Sequence, residues 1–177
     1  MALRRRDQDE LRRVYRAHVD AVYAFLAYSV PPATAEDLTS STFERVIKAW
    51  SSYNSEKGSE RTWILAIARN ILTDHYRRES LRRAPSIDAH PELADHVAGG
   101  EEDFEQILSD DALRAWLAPL GEREREVVAL RYAADLPATE IARITGLSTA
   151  NVHQIASRSL RQLRALAEQQ GKLSGSA

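Results

Sequence analysis

Six polar side chains between positions 149 and 161 have the chemistry to bind DNA. They can donate hydrogen bonds to phosphates and to base edges, and no acidic residue follows position 149 until Glu168. Between them, apolar residues recur at helical spacing, which predicts a helix whose polar face points away from the core. The six residues are Thr149, His153, Gln154, Ser157, Arg158 and Arg161.

A second group of candidate residues lies between positions 53 and 78. The stretch 51–60 has loop composition, with Gly58 and four serines, and a strong helical pattern rich in arginine follows it. Aromatic rings that stack on bases and guanidinium groups that pair with phosphates suit single-stranded nucleic acid. Taken alone, the segment is equally compatible with a helix whose rings belong to the core and whose arginines are solvated.

The first group needs a particular scaffold. Ala142, Gly146 and Val152 are spaced as a helix-turn-helix requires, with a small residue at the crossing, a glycine in the turn and an apolar anchor in the second helix. Pro137 fits the first turn of the first helix, and Ser148 is a suitable N-cap for the second. An ordinary helical hairpin is the alternative interpretation.

The remaining segments are also helical in pattern, so we expect an all-α protein. Amphipathic helices are predicted from about Asp7 to Tyr28, from an N-cap at Thr34 to about Trp50, and within 112–133. In the second of these, apolar residues that include Val46 and Ile47 make the inner face. Asp37, Ser40, Ser41 and Glu44 face outward, which by itself is typical of a solvated surface.

Charge divides the chain into parts. Residues 1–83 carry 15 basic and 11 acidic residues, residues 84–113 carry none and nine, and residues 114–177 carry nine and six. We therefore predict two small helical domains, 1–83 and 113–169, which move relative to each other when unbound. An acidic flexible linker at 84–112 joins them, and 170–177 form a disordered tail.

Composition excludes several classes of protein. There is no cysteine, no apolar run of about 20 residues and no signal-peptide pattern, so we expect a soluble cytoplasmic protein. No catalytic order of Ser, His and Asp, glycine-rich phosphate loop or metal-ligand spacing is present, so we expect no enzyme, no cofactor and no metal. His18 and His75 are interpreted as packing or surface residues.

Three stretches together resemble the extracytoplasmic-function sigma factors of the sigma-70 family, which are bacterial transcription initiation factors. The stretches are EDLTSSTFERVIKAW (36–50), RTWILAIARNILTDHYRR (61–78) and PLGEREREVVALRYAADLPATEIARITGLSTANV (119–152). Their order and spacing, with the acidic linker between them, make the likeness specific. It implies two all-helical domains that give core RNA polymerase its promoter specificity.

The resemblance assigns a role to each group of residues. It implies that Asp37, Ser40, Ser41 and Glu44 dock on the clamp coiled coil of the largest polymerase subunit, although the family often has Gln-Glu at 40–41. It implies that the six residues of the predicted second helix read the double-stranded −35 element. The residues implied in melting and binding the single-stranded −10 element are Tyr53, Asn54, Lys57, Arg61, Asn70, Arg77 and Arg78.

One departure bears on the reading of bases. The family commonly has Lys-Ser-Arg where this chain has His153, Gln154 and Ile155, and Ile155 points inward on the helical pattern. Many members are held inactive by an anti-sigma protein, so such a partner is also implied, but no residue identifies it.

Two other classes of protein are alternative interpretations of this sequence. A helix-turn-helix regulator that binds operator DNA without being a polymerase subunit would share part of 122–148, but its receiver domain would need strands that residues 1–83 do not show. A helical protein that binds only other proteins is a further alternative.

Overall fold

The computed structural model describes residues 5–83 and 110–174, with side chains for 8–82 and 114–169. Every regular element in these ranges is helical, as predicted. The elements are α1 (Arg5–Ala27), α2 (Pro32–Ala49), a 3₁₀ turn (Trp50–Ser52), α3 (Glu60–Arg83), α4 (Asp110–Leu117), α5 (Glu122–Val128), a π-helical turn (Ala129–Ala133), α6 (Ala138–Thr145) and α7 (Thr149–Ser174). The predicted linker lies almost wholly outside the described residues.

Two helix boundaries differ from the prediction. Helix α2 begins at Pro32, not after Thr34, because a proline fits the first helical position, where no N–H donor is needed. Helix α7 continues to Ser174, five residues into the segment predicted as a disordered tail. The segment contains Gln, Lys and Leu, which favour helix, and a single glycine costs only about 1 kcal/mol.

Helices α1, α2 and α3 pack together and form the N-terminal region. Their buried faces carry the apolar residues that the periodicity predicted, among them Val22, Phe25, Val46 and Ile64. The Tyr76 hydroxyl donates to the Ser29 carbonyl oxygen at 2.8 Å and so ties the middle of α3 to the turn between α1 and α2.

The remaining helices form the C-terminal region, 110–174, in which α5 and α6 both pack on α7. Leu117, Leu120, Val128 and Leu163 form a small core beneath α7. Arg131 donates to the Leu136 carbonyl oxygen at 2.9 Å and closes the connection between the π-helical turn and α6.

The two regions contact each other. Helix α6 packs against α3, and the π-helical turn packs against α1. Val127, Ala129 and Leu130 are fully buried in the same apolar cluster as Phe25 of α1. The helical periodicity of apolar residues predicted burial in this segment. It could not show that α1 of the N-terminal region would cover part of it.

In the part of the chain that the structure describes, no helix is long and apolar enough to cross a membrane.

Candidate nucleic-acid interface

The outward face of α7 projects from the C-terminal region as the sequence predicted. Gly146 ends α6 in the left-handed conformation, with φ of 73°, and donates to the Ala142 carbonyl oxygen at 2.9 Å. Ser148 caps α7, because its Oγ accepts from the Asn151 N–H at 3.2 Å. Val152 is buried, so the turn and the anchor together fix the direction in which the helix points.

All six predicted residues lie on this face. His153, Gln154, Ser157, Arg158 and Arg161 are exposed, and Thr149 at the start of the helix is half-buried. A shallow groove of about 280 Å³ runs along it, bordered by His153, Ser157 and Arg161 and also by Arg131 and Arg164. The face therefore offers several cationic donors with no carboxylate in the groove lining.

The loop between α2 and α3 is held by three aromatic rings. Tyr53 stacks on Trp50 with ring centroids 5.4 Å apart, and its ring lies 5.4 Å from that of Trp63. The rings of Trp50 and Trp63 meet edge to face at 5.9 Å. The Tyr53 hydroxyl donates to the Gly58 carbonyl oxygen at 3.2 Å, so the ring also closes the loop. Tyr53 therefore supports the loop from within.

The polar tip of the loop is exposed. The Asn54 side-chain oxygen accepts from the Glu56 N–H at 2.8 Å and fixes a local turn, while the Lys57 side chain extends into solvent. Ser59 ends the loop as the N-cap of α3, with its Oγ 3.2 Å from the Thr62 N–H.

The four predicted residues of α3 do not form a single cluster. Arg61 is half-buried in the first turn, and its Nε is buried without a hydrogen-bond partner in the described structure. Asn70 lies nine residues later, about 14 Å along the axis and about 180° around it. Arg77 shares the face of Asn70 two turns on, while Arg78 is on a neighbouring face and donates to the Asp74 carbonyl oxygen at 3.1 Å. Arg61 therefore belongs with the loop, and the other three residues with the outer face of α3.

An ion pair fixes the start of α3 to α1. Arg13 donates to Glu60 at 2.7 and 3.2 Å, and His18 Nε2 lies 3.4 Å from the same carboxylate. The hydrogen bond from Arg13 is the main cause that lowers the pKa of Glu60, against the opposing effect of burial. The same bond raises the pKa of Arg13. Desolvation raises the pKa of Tyr53 beside them.

The predicted polymerase-binding residues share one exposed face of α2. Asp37, Ser40, Ser41 and Glu44 are all exposed, and Glu44 lies 4.0 Å from Lys48 one turn later. Ile47, which the sequence placed on the inner face, is 44% exposed and extends this face with an apolar side chain.

Sequence reasoning missed the residues that position the loop. Trp50 and Trp63 pack on Tyr53 of the loop from its two ends, and Arg13 of α1 binds Glu60 at the start of α3, 47 positions away in the chain. The spacing of Ser59 and Thr62 ahead of an apolar run was a usable signal for the helix start. No local pattern indicated that the three rings meet.

Both regions match known families. Residues 14–82 match the family described as Sigma-70 region 2, and residues 116–165 match Sigma-70, region 4. Since the first match covers most of the N-terminal region, the alternative of an operator-binding regulator does not account for the chain.

Similar proteins are named as sigma factors. The chain is 31% identical to the ECF RNA polymerase sigma factor SigC of Mycobacterium tuberculosis over 89% of its own length and 83% of that protein. It is 35% identical to ShbA of Streptomyces griseus, covering 76% and 72%. It is 29% identical to BldN of Streptomyces coelicolor over 90% of its own length, but it spans only 61% of that protein.

Solved structures share the fold. CnrH in complex with the cytosolic domain of CnrY aligns with a TM-score of 0.67 and 20% identity, covering 91% of this chain and 89% of CnrH. RpoE of Bartonella quintana in complex with the anti-sigma factor NepR aligns with a TM-score of 0.64 and 21% identity, covering 91% and 96%. Together with the family matches and the relatives, these likenesses show that the chain belongs to the extracytoplasmic-function sigma factors, the non-enzymatic factors that give RNA polymerase its promoter specificity.

Proposed function

We propose that this protein binds core RNA polymerase through α2 and divides promoter recognition between its two regions. The C-terminal region binds the −35 element as duplex, and the N-terminal region binds the −10 element as a separated strand. The observation that carries this proposal is the exposed polar face of α7, which presents donors for phosphates and bases beside a groove lined by cationic residues.

Within α7, Gln154 and Arg158 are the proposed readers of bases. They are four residues apart and both exposed, and they can make bidentate contacts, glutamine to adenine and arginine to guanine. Arg161 lies farther from the N-terminus of the helix and is proposed to bind phosphate. Thr149, His153 and Ser157 complete the contact surface.

In the N-terminal region the proposed −10 site has two parts. The loop, with Asn54, Lys57 and Arg61, receives a base that has left the duplex. The ring cluster supports this role because it fixes the loop in advance, so that less order is lost when a base is bound. Tyr53 takes part as a member of that cluster, since its ring faces two tryptophans.

The outer face of α3 forms the other part. Asn70, Arg77 and Arg78 lie about three to five turns beyond the loop, so we assign them to the strand next to the captured base and not to the base itself. Flipping a base costs a few kcal/mol of lost stacking, and contacts along both parts would offset it.

The proposed polymerase-binding surface is the exposed face of α2 with Asp37, Ser40, Ser41 and Glu44. The proposed site of action is the cytoplasm, where polymerase meets the promoter. The domain boundaries at 83 and 113 stay predictions, and so does an anti-sigma partner.

Reconstituted transcription tests the proposal. Adding the protein to core polymerase and a promoter library should produce new specific start sites with a shared pair of upstream elements. Glu44→Arg should lower core binding, while the exposed charge reversal Asp9→Arg on α1 should leave it unchanged. Binding of the protein to promoter DNA without any new start site would contradict a role as a polymerase subunit.

A further inference from the structure

The shallow groove beside α7 has a second wall that does not belong to α7. One wall is the side of α7 that carries His153, Ser157 and Arg161, and the other wall includes Tyr132 of the π-helical turn. Arginines line the groove, and no aspartate or glutamate does. The proposed function uses only the α7 wall, so it gives Tyr132 no role.

The π-helical turn, Ala129–Ala133, determines where Tyr132 lies. The Ala134 N–H donates to the Ala129 carbonyl oxygen, five residues earlier, at 2.9 Å, so this turn holds one residue more than an α-helical turn. Leu130 and Ala134, on either side of Tyr132, are fully buried and anchor the turn, whereas Tyr132 is 49% exposed. Turns of this kind are rare and often lie at functional sites. Here the turn holds a large aromatic side chain at the surface beside α7.

The neighbouring side chains have partners inside the protein. Arg131 is half-buried and donates to the Leu136 carbonyl oxygen at 2.9 Å, so it braces the turn. Tyr53 and Tyr76 likewise donate their hydroxyls to backbone carbonyl oxygens. Among the residues that the structure describes, the Tyr132 hydroxyl has no such acceptor. A half-exposed ring with an available hydroxyl can pack on an apolar surface and donate a hydrogen bond to a ligand at the same time.

The position of the groove on α7 indicates which part of a bound DNA would face it. Four of the α7 residues that line it lie on one side of the proposed base reader Gln154, about 60–120° around the helix axis. They are His153, Ser157, Leu160 and Arg164. When a helix lies in the major groove, which is about 12 Å wide, its flanks face the sugar-phosphate backbones. If Gln154 meets base edges, the groove beside α7 therefore faces the backbone of one strand.

We propose that Tyr132 binds the DNA backbone beside the −35 element. Its hydroxyl donates to a phosphate oxygen of one strand, and its ring packs on the adjoining sugar. Tyrosine is among the side chains that make such phosphate contacts, which fix the register of a recognition helix without reading bases. The inference rests on the proposed function, because the groove faces DNA only if α7 enters the −35 duplex. It gives the π-helical turn a role in holding α7 on that duplex.

Binding of the full-length protein to a duplex that carries the −35 element from the promoter library tests this contact. Tyr132→Phe removes only the hydroxyl and should lower the affinity about fivefold, because one hydrogen bond to a charged oxygen is lost. The loss should be equal for every variant of the −35 element. The slope of affinity against salt should stay the same, since tyrosine carries no charge, whereas Arg161→Ala should reduce that slope by about 0.9. Tyr15→Phe on α1, a tyrosine that is 48% exposed, is the matched control and should bind as the wild type does.

Uncharged methylphosphonate groups, introduced at one phosphate at a time, locate the contact. At one phosphate beside the −35 element, this replacement should weaken the wild type more than it weakens Tyr132→Phe, because only the wild type has a hydroxyl that loses its charged acceptor there. At every other phosphate the two proteins should respond alike. The melting temperature of Tyr132→Phe should equal that of the wild type, since the side chain is half exposed.

Wild-type affinity and an unaltered phosphate pattern in Tyr132→Phe would overturn the proposal. A loss confined to one base pair would also overturn it, since Tyr132 would then read a base. So would a loss that comes with a lower melting temperature and with no change at any single phosphate, because Tyr132 would then only support the fold. If Arg158→Ala alters sequence preference in these cases, the proposed function stands. If neither Arg158→Ala nor Tyr132→Phe alters binding to the duplex, the proposed role of α7 fails as well.

Discussion

The two proposed DNA-binding surfaces are built in opposite ways. The loop of the N-terminal region is fixed from within by Trp50, Tyr53 and Trp63, and most of its internal hydrogen bonds are local. The face of α7 is fixed from beneath, since Gly146 and Ser148 set the turn and the Val152 side chain is buried, while the proposed reading residues Gln154 and Arg158 are exposed. A loop that receives a separated base needs a fixed shape, whereas a helix that enters a groove needs projecting side chains.

The largest expected effect comes from removing a ring. Trp63→Ala should destabilise the N-terminal region by about 3 kcal/mol, because it leaves a cavity beneath the loop and removes two ring contacts. Thermal unfolding followed by circular dichroism measures this loss, and permanganate footprinting should show no open −10 element. Trp63→Phe keeps one ring in place and should recover much of both. If Trp63→Ala melts promoters normally, the ring cluster does not support the loop.

Changes on α7 should affect binding and leave stability alone. Arg158→Ala or Gln154→Ala should cost about 1–3 kcal/mol at one or two positions of the −35 element, because each loses a bidentate base contact. Arg161→Ala should weaken all sequences alike and reduce the dependence of binding on salt. A promoter-variant library measured at two salt concentrations separates these results. If Arg158→Ala lowers the binding affinity equally for every sequence in the library, Arg158 does not read a base.

A smaller effect is expected on the outer face of α3. Asn70→Ala should lower promoter opening by about 1 kcal/mol, since one exposed amide contact to the displaced strand is lost, and it should leave polymerase binding intact. Permanganate reactivity of the −10 element at equal polymerase occupancy measures the change. The exposed change Ser80→Ala, about 80° around α3 from Asn70 and on the side away from Arg78, is the control. Equal permanganate reactivity in the wild type and in Asn70→Ala would show that Asn70 does not contact the melted strand.

The smallest effect depends on pH. Because Arg13 lowers the pKa of Glu60 in the folded protein, the ionised carboxylate contributes stability above its ordinary pKa of about 4.5. That contribution is lost as the pH falls through the lower folded value. Glu60→Gln should therefore reduce stability by about 1 kcal/mol or less at neutral pH, and the difference from wild type should disappear in acid. A difference that persists after Glu60 has been protonated in the folded protein would show that the pair contributes through packing instead.

The local structure of the two surfaces could be predicted from the sequence better than the tertiary contacts that support them. Gly146 ends α6 and Ser148 caps α7, and each acts within one helical turn of that boundary. Their positions in the sequence were therefore enough to predict the two helix ends. The meeting of Trp50 with Trp63 depends on how α2 and α3 cross, and no period in the sequence encodes that crossing. Thr34 was misassigned as a cap because Pro32 offered an equally good helix start two residues earlier.

The same limit applies to the contact between regions. Val127 and Leu130 lie within the amphipathic helices predicted for 112–133, and both are buried. Their second neighbour, α1, lies about a hundred residues earlier in the chain. The charge pattern, with an acidic middle between two basic ends, indicated two domains. It could not show that these domains contact each other.

The contact between Arg143 and the loop bears on the order in which the two proposed surfaces can be used. His153, Gln154 and Arg158 are exposed in the same structure in which Arg143 donates to the Lys57 carbonyl oxygen. We therefore expect a molecule in this arrangement to meet duplex DNA with α7 first. The loop should receive a separated strand only after that hydrogen bond has broken.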